Sequence, residues 1–326
     1  MKAFTYSDYG PPDVVRIEDV EKPTPTDDEV LVKVRAVSVN PIDWHLIRGT
    51  PYVARLVMGL RRPKDTRVGI DYAGRVEAVG SSVTQFRPGD EVFGGVEGAF
   101  AEYLKVCMNR GIARKPTNLT LEDAAAINVA GRTALQAIRD RARIQPGQKV
   151  LINGASGGVG TFAVQIAKSF GAEVTGVCST RNVGMVRSLG GDHVVDYTKE
   201  DFTKTTERYD VLIDNVGNCP LSECRRILKP QGKFILIGGG GPNAGNVIGP
   251  FAAIIKTYVL SKFVSQQMGF FLTQPGQQDL NVLRDLIESG KVKPVIDRRY
   301  EFSELPEAIR YLEAGHAGGK VVITVS

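Results

Sequence analysis

The chain has 326 residues, of which 42% are hydrophobic and 24% are charged. These proportions are typical of a globular protein and exclude a fibrous or intrinsically disordered chain. At roughly 150 residues per domain, the length predicts two domains. The 41 Lys and Arg residues against 36 Asp and Glu residues give a net charge of +5. The tightest basic group, at 61–64, is too short to form a nucleic-acid-binding stripe.

The sequence predicts neither a membrane span nor a secretory signal. A span needs about 18 apolar residues, and the best candidate, 251–263, is interrupted by Lys256 and Lys262. The first residues are typical of a strand rather than of the apolar core of a signal peptide. The four cysteines include no Cys-x-x-Cys pair, which in a chain of this length predicts reduced thiols. We therefore expect a cytoplasmic protein that binds neither membranes nor nucleic acids.

The N-terminal part of the chain predicts short strands separated by turns. At 30–35, charged residues alternate with apolar ones, as in a half-buried strand. Turn-forming residues at 87–90 directly precede a strand at 91–93. The composition then changes. Residues 121–143 are rich in Ala, Leu, Arg and Asp and lack proline, which predicts a helix.

Strands and helices alternate along the rest of the chain. Predicted strands lie at 150–152, 173–178, 193–195, 209–214 and 233–237, with helical segments between them. This alternation predicts a parallel sheet with crossover helices. The C-terminal tail predicts two helices and a last strand, at 279–289, 305–314 and 320–325. This tail could belong to either domain.

A glycine-rich loop separates the strand at 150–152 from the next helix. A dinucleotide site needs small residues there for the tight turn, for contact between backbone N–H groups and pyrophosphate, and for close helix packing. The helix that follows has one apolar face, which ends at Gly171, a predicted C-terminal cap. Its N-terminus favours a phosphate through its partial positive charge. The alternative is a purely structural turn. The predicted cofactor-binding residues of this loop are Ala155, Ser156, Gly157, Gly158, Val159 and Gly160.

The end of the second predicted strand indicates which dinucleotide binds. NAD-binding Rossmann folds carry an Asp or Glu about 20 residues past the loop, bound to the ribose hydroxyls. Here those positions hold Ser179, Thr180 and Arg181, and no carboxylate occurs there. Two hydroxyls and a guanidinium suit a 2′-phosphate, which an acidic residue would repel. The sequence therefore favours NADPH over NADH, and Ser179 or Asn182 as an ordinary helix N-cap is compatible with this prediction.

Several ordered motifs give the chain a resemblance to a known family. They are Val-Asn-Pro-Ile-Asp at 39–43, Gly-Ile-Asp-Tyr-Ala-Gly at 69–74, Gly-Ala-Phe-Ala-Glu-Tyr at 98–103, Gly-Arg-Thr-Ala at 131–134, the loop at 154–160, Asp-Asn-Val-Gly at 214–217 and Gly-Lys-Val-Val at 319–322. Over nearly its whole length the chain resembles the zinc-free branch of the medium-chain dehydrogenase/reductase superfamily, the quinone oxidoreductase-like and enone-reductase proteins.

This resemblance implies an α/β fold in which a Rossmann domain, with a doubly wound parallel sheet, is inserted into a GroES-like β-rich catalytic domain. The expected bounds are 1–125 for the catalytic domain, 126–265 for the Rossmann domain and 266–326 for a segment that returns to the catalytic domain. The cofactor is expected in the cleft between the domains. Related proteins often form homodimers through an edge strand of the Rossmann sheet, so we expect a homodimer.

The family pattern also implies further cofactor-binding residues. Thr133 and Gly238 would flank the nicotinamide and the diphosphate. Tyr197 would lie near the adenosine phosphate and Asn215 near the ribose. Lys320 would lie close to the nicotinamide end.

The same motifs indicate whether the chain has the ligands of a catalytic zinc ion. Zinc alcohol dehydrogenases of this fold have a Cys where this chain has Asn40, and Gly-His-Glu where it has Gly69-Ile70-Asp71. Catalytic zinc needs about three protein ligands and an open position. Neither Asn40 nor Ile70 supplies a thiolate or an imidazole, and the three histidines of the chain are too dispersed for a metal signature. We therefore expect no metal.

Without a metal to polarise a carbonyl, hydride transfer to an activated C=C bond is the easier reaction, because hydrogen-bond donors can stabilise the enolate. We predict two catalytic residues. Asn40 would orient the substrate or the nicotinamide ribose. Tyr52, in a segment that resembles the acid-bearing Gly-x-Tyr segment of enoyl reductases, or a water would return the proton.

The sequence thus predicts an NADPH-dependent reductase of a small-molecule enone or quinone. Two alternatives stay open at this point. One is a zinc-free alcohol or carbonyl oxidoreductase, since one fold carries many chemistries. The other is an NADPH-binding protein with little turnover.

Overall fold

The computed structural model describes residues 1–238, 250–261 and 263–325. These residues form two compact units. The second unit contains Thr133–Thr273 and Lys291–Lys293, and the first unit contains the rest of the described chain. The units divide near residues 132 and 273. The expected domain bounds were at 125 and 265.

The elements are numbered in chain order. The strands are β1 (Lys2–Thr5), β2 (Arg16–Asp19), β3 (Glu29–Val39), β4 (Asp71–Val79), β5 (Glu91–Gly95), β6 (Tyr103–Cys107), β7 (Ile112–Arg114), β8 (Lys149–Asn153), β9 (Glu173–Cys178), β10 (His193–Asp196), β11 (Tyr209–Asp214), β12 (Leu228–Leu236), β13 (Gln267–Phe270), β14 (Ile296–Glu301) and β15 (Lys320–Thr324). The helices are α1 (Pro41–Arg48), α2 (Arg55–Met58), α3 (Leu121–Ala125), α4 (Asn128–Gln136), α5 (Gly158–Ser169), α6 (Val183–Ser188), α7 (Leu221–Arg226), α8 (Pro250–Ser261), α9 (Gln277–Glu288) and α10 (Leu305–Glu313).

The first unit is built on a mainly antiparallel sheet in the order β14-β15-β3-β4-β5-β7, in which β6 also pairs with β3. Its long central strand β3 buries Val32 and Val34 and leaves Lys33 and Arg35 half-buried. The half-buried strand predicted at 30–35 is therefore confirmed. The valines belong to the core of this unit, which the alternation of residue types places on one face of the strand.

The helix predicted at 121–143 is wrong as a single helix. The chain instead forms α3, then α4, and then a π-helical segment at Ala137–Ala142 that ends at Arg143 with a φ of 51°. The break between α3 and α4 has a physical cause, because the Val129 N–H donates to the Asp71 side chain at 3.0 Å. A buried carboxyl group on β4 thus acts as the acceptor at the start of α4.

The second unit is built on a parallel sheet in the order β10-β9-β8-β11-β12-β13. Counted from β8, this is the strand order 3-2-1-4-5-6 of a Rossmann fold. The predicted parallel sheet is confirmed, and the strands expected at 173–178 and 209–214 have the bounds that the sequence predicted.

Helix α5 crosses over between β8 and β9. Its predicted apolar face is confirmed, since Phe162, Ala163 and Ile166 have no exposed surface. Gly171 follows the helix with a φ of 80°, as predicted for a C-terminal cap. The loop that precedes α5 therefore lies at the carboxyl edge of the parallel sheet, where ligands of this fold bind.

The cysteines form no disulfide. In the described part of the chain, no helix combines the length and the apolar character that a membrane crossing requires.

Candidate functional site

Close backbone contacts leave no room for a side chain at Gly160 of the glycine-rich loop. A Cβ on Gly160 would lie 2.0 Å from the Gly154 carbonyl oxygen, which is far inside van der Waals contact. Gly154 itself has a φ of 74°, in the left-handed region that favours glycine. The Ala155 N–H donates to the Val177 carbonyl oxygen at 3.0 Å, which fixes the loop against β9.

The N-terminus of α5 offers N–H groups to a ligand. Its N-cap is Gly157, which has no side chain to accept hydrogen bonds from the first turn. The first-turn N–H groups of Gly158, Val159 and Gly160 have no acceptor within a helix of this kind. Ser156 lies beside them and its Oγ accepts from Asn182 Nδ2 at 3.1 Å. Free N–H groups and the helix dipole together suit a phosphate.

The ends of β11 and β12 add polar groups to the same edge of the sheet. Asn215 Nδ2 donates to the Asn153 carbonyl oxygen at 3.0 Å, while Asn215 Oδ1 is buried and has no partner. A buried acceptor without a donor fits a ribose hydroxyl. A Cβ on Gly238 would lie 1.9 Å from the Asn215 carbonyl oxygen, so only glycine fits at the end of β12. This side-chain set fits a dinucleotide.

Asp214 holds this edge together. Its Oδ1 accepts from the Asn153 side chain at 2.9 Å and from the Val216 and Gly217 N–H groups at 3.0 and 2.9 Å. Its Oδ2 is buried without a partner. Burial raises the pKa of Asp214 above its ordinary value.

The predicted 2′-phosphate residues lie together at the end of β9, and Ser179 is half-buried while Arg181 is exposed. The structure adds a carboxylate that the sequence prediction missed. The Thr180 hydroxyl donates to Asp196 Oδ2 at 2.6 Å. This bond lowers the pKa of Asp196 to about 2. Asp196 ends the neighbouring strand β10, and Lys199 offsets its charge from 3.4 Å.

Thr133 and Tyr197 are two further predicted cofactor-binding residues of the second unit. The Thr133 hydroxyl lies 2.7 Å from the Thr273 hydroxyl and is nearly buried. Tyr197 follows β10 with 58% of its surface exposed, and its N–H donates to the Cys178 carbonyl oxygen at 3.0 Å. The cofactor roles predicted for both residues stay predictions.

The first unit contains a buried polar network centred on Asp71, which has no exposed surface. Five donors bind its carboxyl group. They are Asn128 Nδ2 and the Val129 N–H on Oδ1, at 2.8 and 3.0 Å, and Ser38 Oγ, Asn40 Nδ2 and Lys320 Nζ on Oδ2, at 2.8, 2.9 and 3.3 Å. The pairing of β3 with β4 and with β15 brings these residues together.

Asn40 and Lys320 use their polar groups inside this network. Lys320 Nζ donates to Asn40 Oδ1 at 2.5 Å and to the Val39 carbonyl oxygen at 3.4 Å, in addition to Asp71. An ammonium group has three N–H donors, and all three have acceptors here. Asn40 is 2% exposed and its Nδ2 binds Asp71. The predicted contacts of Asn40 with a substrate or ribose, and of Lys320 with the cofactor, stay predictions.

Two ionisable groups beside this network were missed by the sequence prediction. Asp43 Oδ2 accepts from the Asn40 N–H at 2.7 Å, and its Oδ1 is buried without a partner. Burial, and secondarily the charge of Asp71, raise the pKa of Asp43 to about 8. Arg132 is 7% exposed, and its Nε and Nη1 have no partner. Burial lowers the pKa of Arg132.

Tyr52, the predicted proton donor, lies on the surface of the first unit with 44% of its area exposed. The Arg55 guanidinium lies 4.7 Å from the centre of its ring. Nearby, Trp44 is 8% exposed and stacks on His45 at 3.6 Å. Burial lowers the pKa of His45.

The donor set around Asp71 does not suit zinc. Asn40 and Ile70 offer an amide and an alkyl group, and the Lys320 ammonium lies 3.3 Å from Asp71 Oδ2, where it would repel a second cation. Across the described ranges, no three His, Cys, Asp or Glu side chains come together as a metal site.

Signals for the missed residues exist in the sequence. Asp71 belongs to the motif at 69–74, and Asp196 and Asp214 each end a predicted parallel strand. Polar residues at the carboxyl ends of parallel strands meet at one edge of the sheet. A prediction of the residues near the end of one strand must therefore include the ends of all strands of the sheet, and not only the end of the second strand.

Two family models match the chain. Residues 26–117 match the alcohol dehydrogenase GroES-like domain, and residues 189–323 match a family described as zinc-binding dehydrogenase. The predicted GroES-like unit is therefore confirmed.

Individual relatives match nearly the whole chain. The chain is 34% identical to the 2-methylene-furan-3-one reductase of Solanum lycopersicum, over 99% of this chain and 79% of that protein. It is also 34% identical, with the same shares covered, to the chloroplastic NADPH-dependent alkenal/one oxidoreductase of Arabidopsis thaliana. The solved structure of the quinone oxidoreductase from Coxiella burnetii is 31% identical, with a TM-score of 0.85 over 100% of this chain and 99% of that chain.

The raised pKa of Asp43 predicts a pH dependence of stability. The folded chain keeps a proton that the unfolded chain releases above an ordinary aspartate pKa of about 4, so the free energy of unfolding falls from about pH 4 to about pH 8. In Asp43→Asn this contribution is absent. Denaturant titrations should show that the stability of the wild type relative to Asp43→Asn falls by more than about 1 kcal/mol between about pH 5 and about pH 7.

The control for this measurement is Asp19→Asn, which changes an exposed aspartate on β2. Its stability relative to the wild type should not change over the same pH range. Parallel pH profiles for the wild type and Asp43→Asn would show that Asp43 is ionised in the folded chain.

Proposed function

Because this chain belongs to the medium-chain dehydrogenase/reductase superfamily, in its quinone oxidoreductase-like branch, we propose that it is an NADPH-dependent reductase of α,β-unsaturated carbonyl compounds or quinones. It is an NAD(P)H-dependent oxidoreductase, and NADPH is its cofactor. The observation that carries the proposal is the loop at 154–160. A side chain at Gly160 would clash with the backbone of Gly154, and the loop opens onto the free N–H groups of α5.

The proposed 2′-phosphate site rests on the balance of charge at the end of β9. Arg181 and Lys199 supply two positive charges against the single carboxylate of Asp196. Asp196 also accepts from the Thr180 and Thr198 hydroxyls, so its oxygens are engaged within the protein. A phosphate therefore meets a net positive site, whereas a ribose hydroxyl finds no carboxylate free to accept from it.

The proposed reaction needs no zinc. NADPH supplies the hydride when it is bound. Asn40 and Ile70 supply neither a thiolate nor an imidazole, and the Lys320–Asp71 ion pair places a cation beside Asn40, which argues against a zinc ligand set there. Acceptors whose carbonyl spreads the developing negative charge suit such a site better than simple ketones do.

The proposal assigns different tasks to the two predicted catalytic residues. Asn40 is a positioning residue, because both ends of its amide bind inside the network of Asp71 and Lys320. Tyr52 is the proton donor to the α-carbon, since it is a phenol at an exposed position. The Arg55 guanidinium lies 4.7 Å from the centre of its ring.

The oligomeric state and the cellular location belong to the proposal as well. We retain a homodimer and a cytoplasmic location as predictions. The proposed substrate is a small molecule of the class of enones, enals and quinones.

Arg181→Ala should weaken NADPH binding selectively. A hydrogen bond to a charged group contributes about 1.5–3 kcal/mol, which corresponds to roughly 10–150-fold in affinity. The dissociation constant for NADPH should therefore rise by at least about tenfold while that for NADH changes little. Arg187→Ala, which removes an exposed arginine from α6, is the matched control and should change neither constant. If Arg181→Ala weakened the binding of NADPH and NADH equally, Arg181 would not be a ligand of the 2′-phosphate.

The position of a transferred label separates the proposed reaction from its alternative. With NADPH deuterated at C4 of the nicotinamide and an enone as acceptor, the deuterium should appear at the β-carbon of the saturated product. Mass spectrometry or NMR of the product locates it. Deuterium on the carbonyl carbon of an alcohol would establish a carbonyl oxidoreductase instead. Tyr52→Phe should lower the turnover number by roughly 10²-fold or more, and full activity in this variant would assign the proton to water.

A further inference from the structure

The segment that follows α1 is tied to that helix by the side chain of Arg55. Arg55 Nε donates to the Gly49 carbonyl oxygen at 2.9 Å, and Arg55 Nη2 donates to the Arg48 carbonyl oxygen at 3.0 Å. Both carbonyl groups lie at the C-terminus of α1, where a helix leaves its last acceptors without an intrahelical partner. Arg55 therefore caps the C-terminus of α1 with two hydrogen bonds.

The same guanidinium contacts two aromatic rings. Its carbon atom lies 4.4 Å from the centre of the Tyr9 ring and 4.7 Å from the centre of the Tyr52 ring. A planar, delocalised guanidinium is well suited to contact with aromatic faces. Tyr52 is 44% exposed, so its ring is only partly enclosed by the protein. The contact with Arg55 therefore restrains the direction of the Tyr52 side chain.

Tyr9 holds the other end of this segment. Its hydroxyl donates to the Gly59 carbonyl oxygen at 2.8 Å, and the Gly59 N–H donates to the Arg55 carbonyl oxygen at 2.9 Å. At the first end there is no room for a side chain, because a Cβ on Gly49 would lie 2.6 Å from Tyr9 Cδ1 and 2.7 Å from Arg55 Nε. Both ends of the segment 49–59 are thus held by Arg55 and Tyr9.

Helix α1 relates this segment to Asn40. Asn40 is the N-cap of α1 and Arg48 is its last residue. Eight residues form a helix of about 12 Å, which keeps its two ends at a fixed separation. The first end is held by the bond of Asn40 Nδ2 to Asp71, and the last end by the bond of Arg48 Nη2 to Glu313 Oε2 at 2.8 Å. The segment 49–59 therefore begins at a helix that is fixed at both ends.

We propose that Arg55 is a positioning residue that places the phenol of Tyr52 for proton transfer. This inference rests on the proposed function, in which Tyr52 gives its proton to the α-carbon of the acceptor. Arg55 takes no part in making or breaking a bond. It holds the Tyr52 ring in a fixed relation to the end of α1. A misplacement of about 1 Å can lower the rate of such a step by roughly 10²-fold, so this restraint is expected to matter for turnover.

A double-mutant cycle tests whether Arg55 acts through Tyr52. The turnover number is measured for the wild type, Arg55→Ala, Tyr52→Phe and the double variant, with NADPH and the enone acceptor of the labelling experiment. Arg55→Ala should lower the turnover number by about tenfold or more and leave KM for the enone nearly unchanged, because the interaction is made only in the transition state. In the Tyr52→Phe background the same change should lower it by less than about twofold.

An equal loss in both backgrounds would overturn the proposal, because Arg55 would then act on the fold and not through Tyr52. Arg16→Ala, which removes an exposed arginine from β2, is the control and should leave the turnover number unchanged.

Arg55→Lys separates positioning from charge. Lysine keeps the positive charge but lacks the planar fork that binds two carbonyl oxygens and contacts two rings. If Arg55 positions Tyr52, Arg55→Lys should lose nearly as much activity as Arg55→Ala. A wild-type turnover number in Arg55→Lys would overturn the proposal, because charge alone would then be sufficient. The same double-mutant cycle with Arg55→Lys serves if Arg55→Ala does not fold.

Hydrogen exchange distinguishes a failure of this inference from a failure of the proposed function. The N–H groups of Thr50, Ala54 and Gly59 donate to backbone carbonyl oxygens. In both Arg55 variants, peptides that cover 49–59 should exchange these amide hydrogens at least about fivefold faster than in the wild type. Unchanged exchange would overturn the positioning role, whatever the activity. Faster exchange together with a fully active Tyr52→Phe would contradict the proton donor of the proposed function, while the restraint of the segment by Arg55 would stand.

Discussion

The first unit depends on the requirement that the buried carboxyl group of Asp71 be fully hydrogen-bonded. A charge with no exposed surface is costly unless partners bind each of its oxygens. Asp71 receives five donors from the end of β3, from α4 and from the start of β15. These elements are far apart in sequence, and the carboxyl group fixes where each begins or ends. Removal of a single partner from such a buried pair typically costs about 3–5 kcal/mol.

The same network determines what chemistry the first unit can support. Lys320 brings a positive charge into the interior, and Asn40 links it to Asp71 through both ends of its amide. The amide of Asn40 and the ion pair of Lys320 with Asp71 form a donor set that does not suit zinc. In the proposed metal-free reaction the acceptor must stabilise its own developing charge, which favours conjugated carbonyl compounds and quinones. The second unit contributes a glycine-rich loop beside N–H groups of α5 that are open to a ligand.

Much of this architecture follows from local patterns in the sequence. The apolar face of α5 and its cap at Gly171 obey the helical period, so both were predictable. The alternation of strands and helices gave the parallel sheet. The break between α3 and α4 was not predictable, because the group that causes it, Asp71, is 57 residues away from Asn128 along the chain. Helix propensity carries no information about such a contact.

The candidate site was predictable to a similar extent. The loop at 154–160 is a local signal, and its close contacts agree with its glycines. Asp196 was missed because the end of β9 was read alone, whereas the carboxylate reaches Thr180 from β10. The raised pKa of Asp43 depends on burial and on tertiary packing. No spacing rule in the sequence reports this quantity.

We propose that this oxidoreductase works without a metal, because Asn40 and Ile70 supply neither a thiolate nor an imidazole and the Lys320–Asp71 ion pair lies beside Asn40. The most direct measurement is elemental analysis of protein purified without chelators, together with the rate of NADPH oxidation by an enone before and after treatment with EDTA. We expect far less than one zinc per chain and an unchanged rate. One tightly bound zinc per chain, with activity lost on its removal and restored by added zinc, would contradict it.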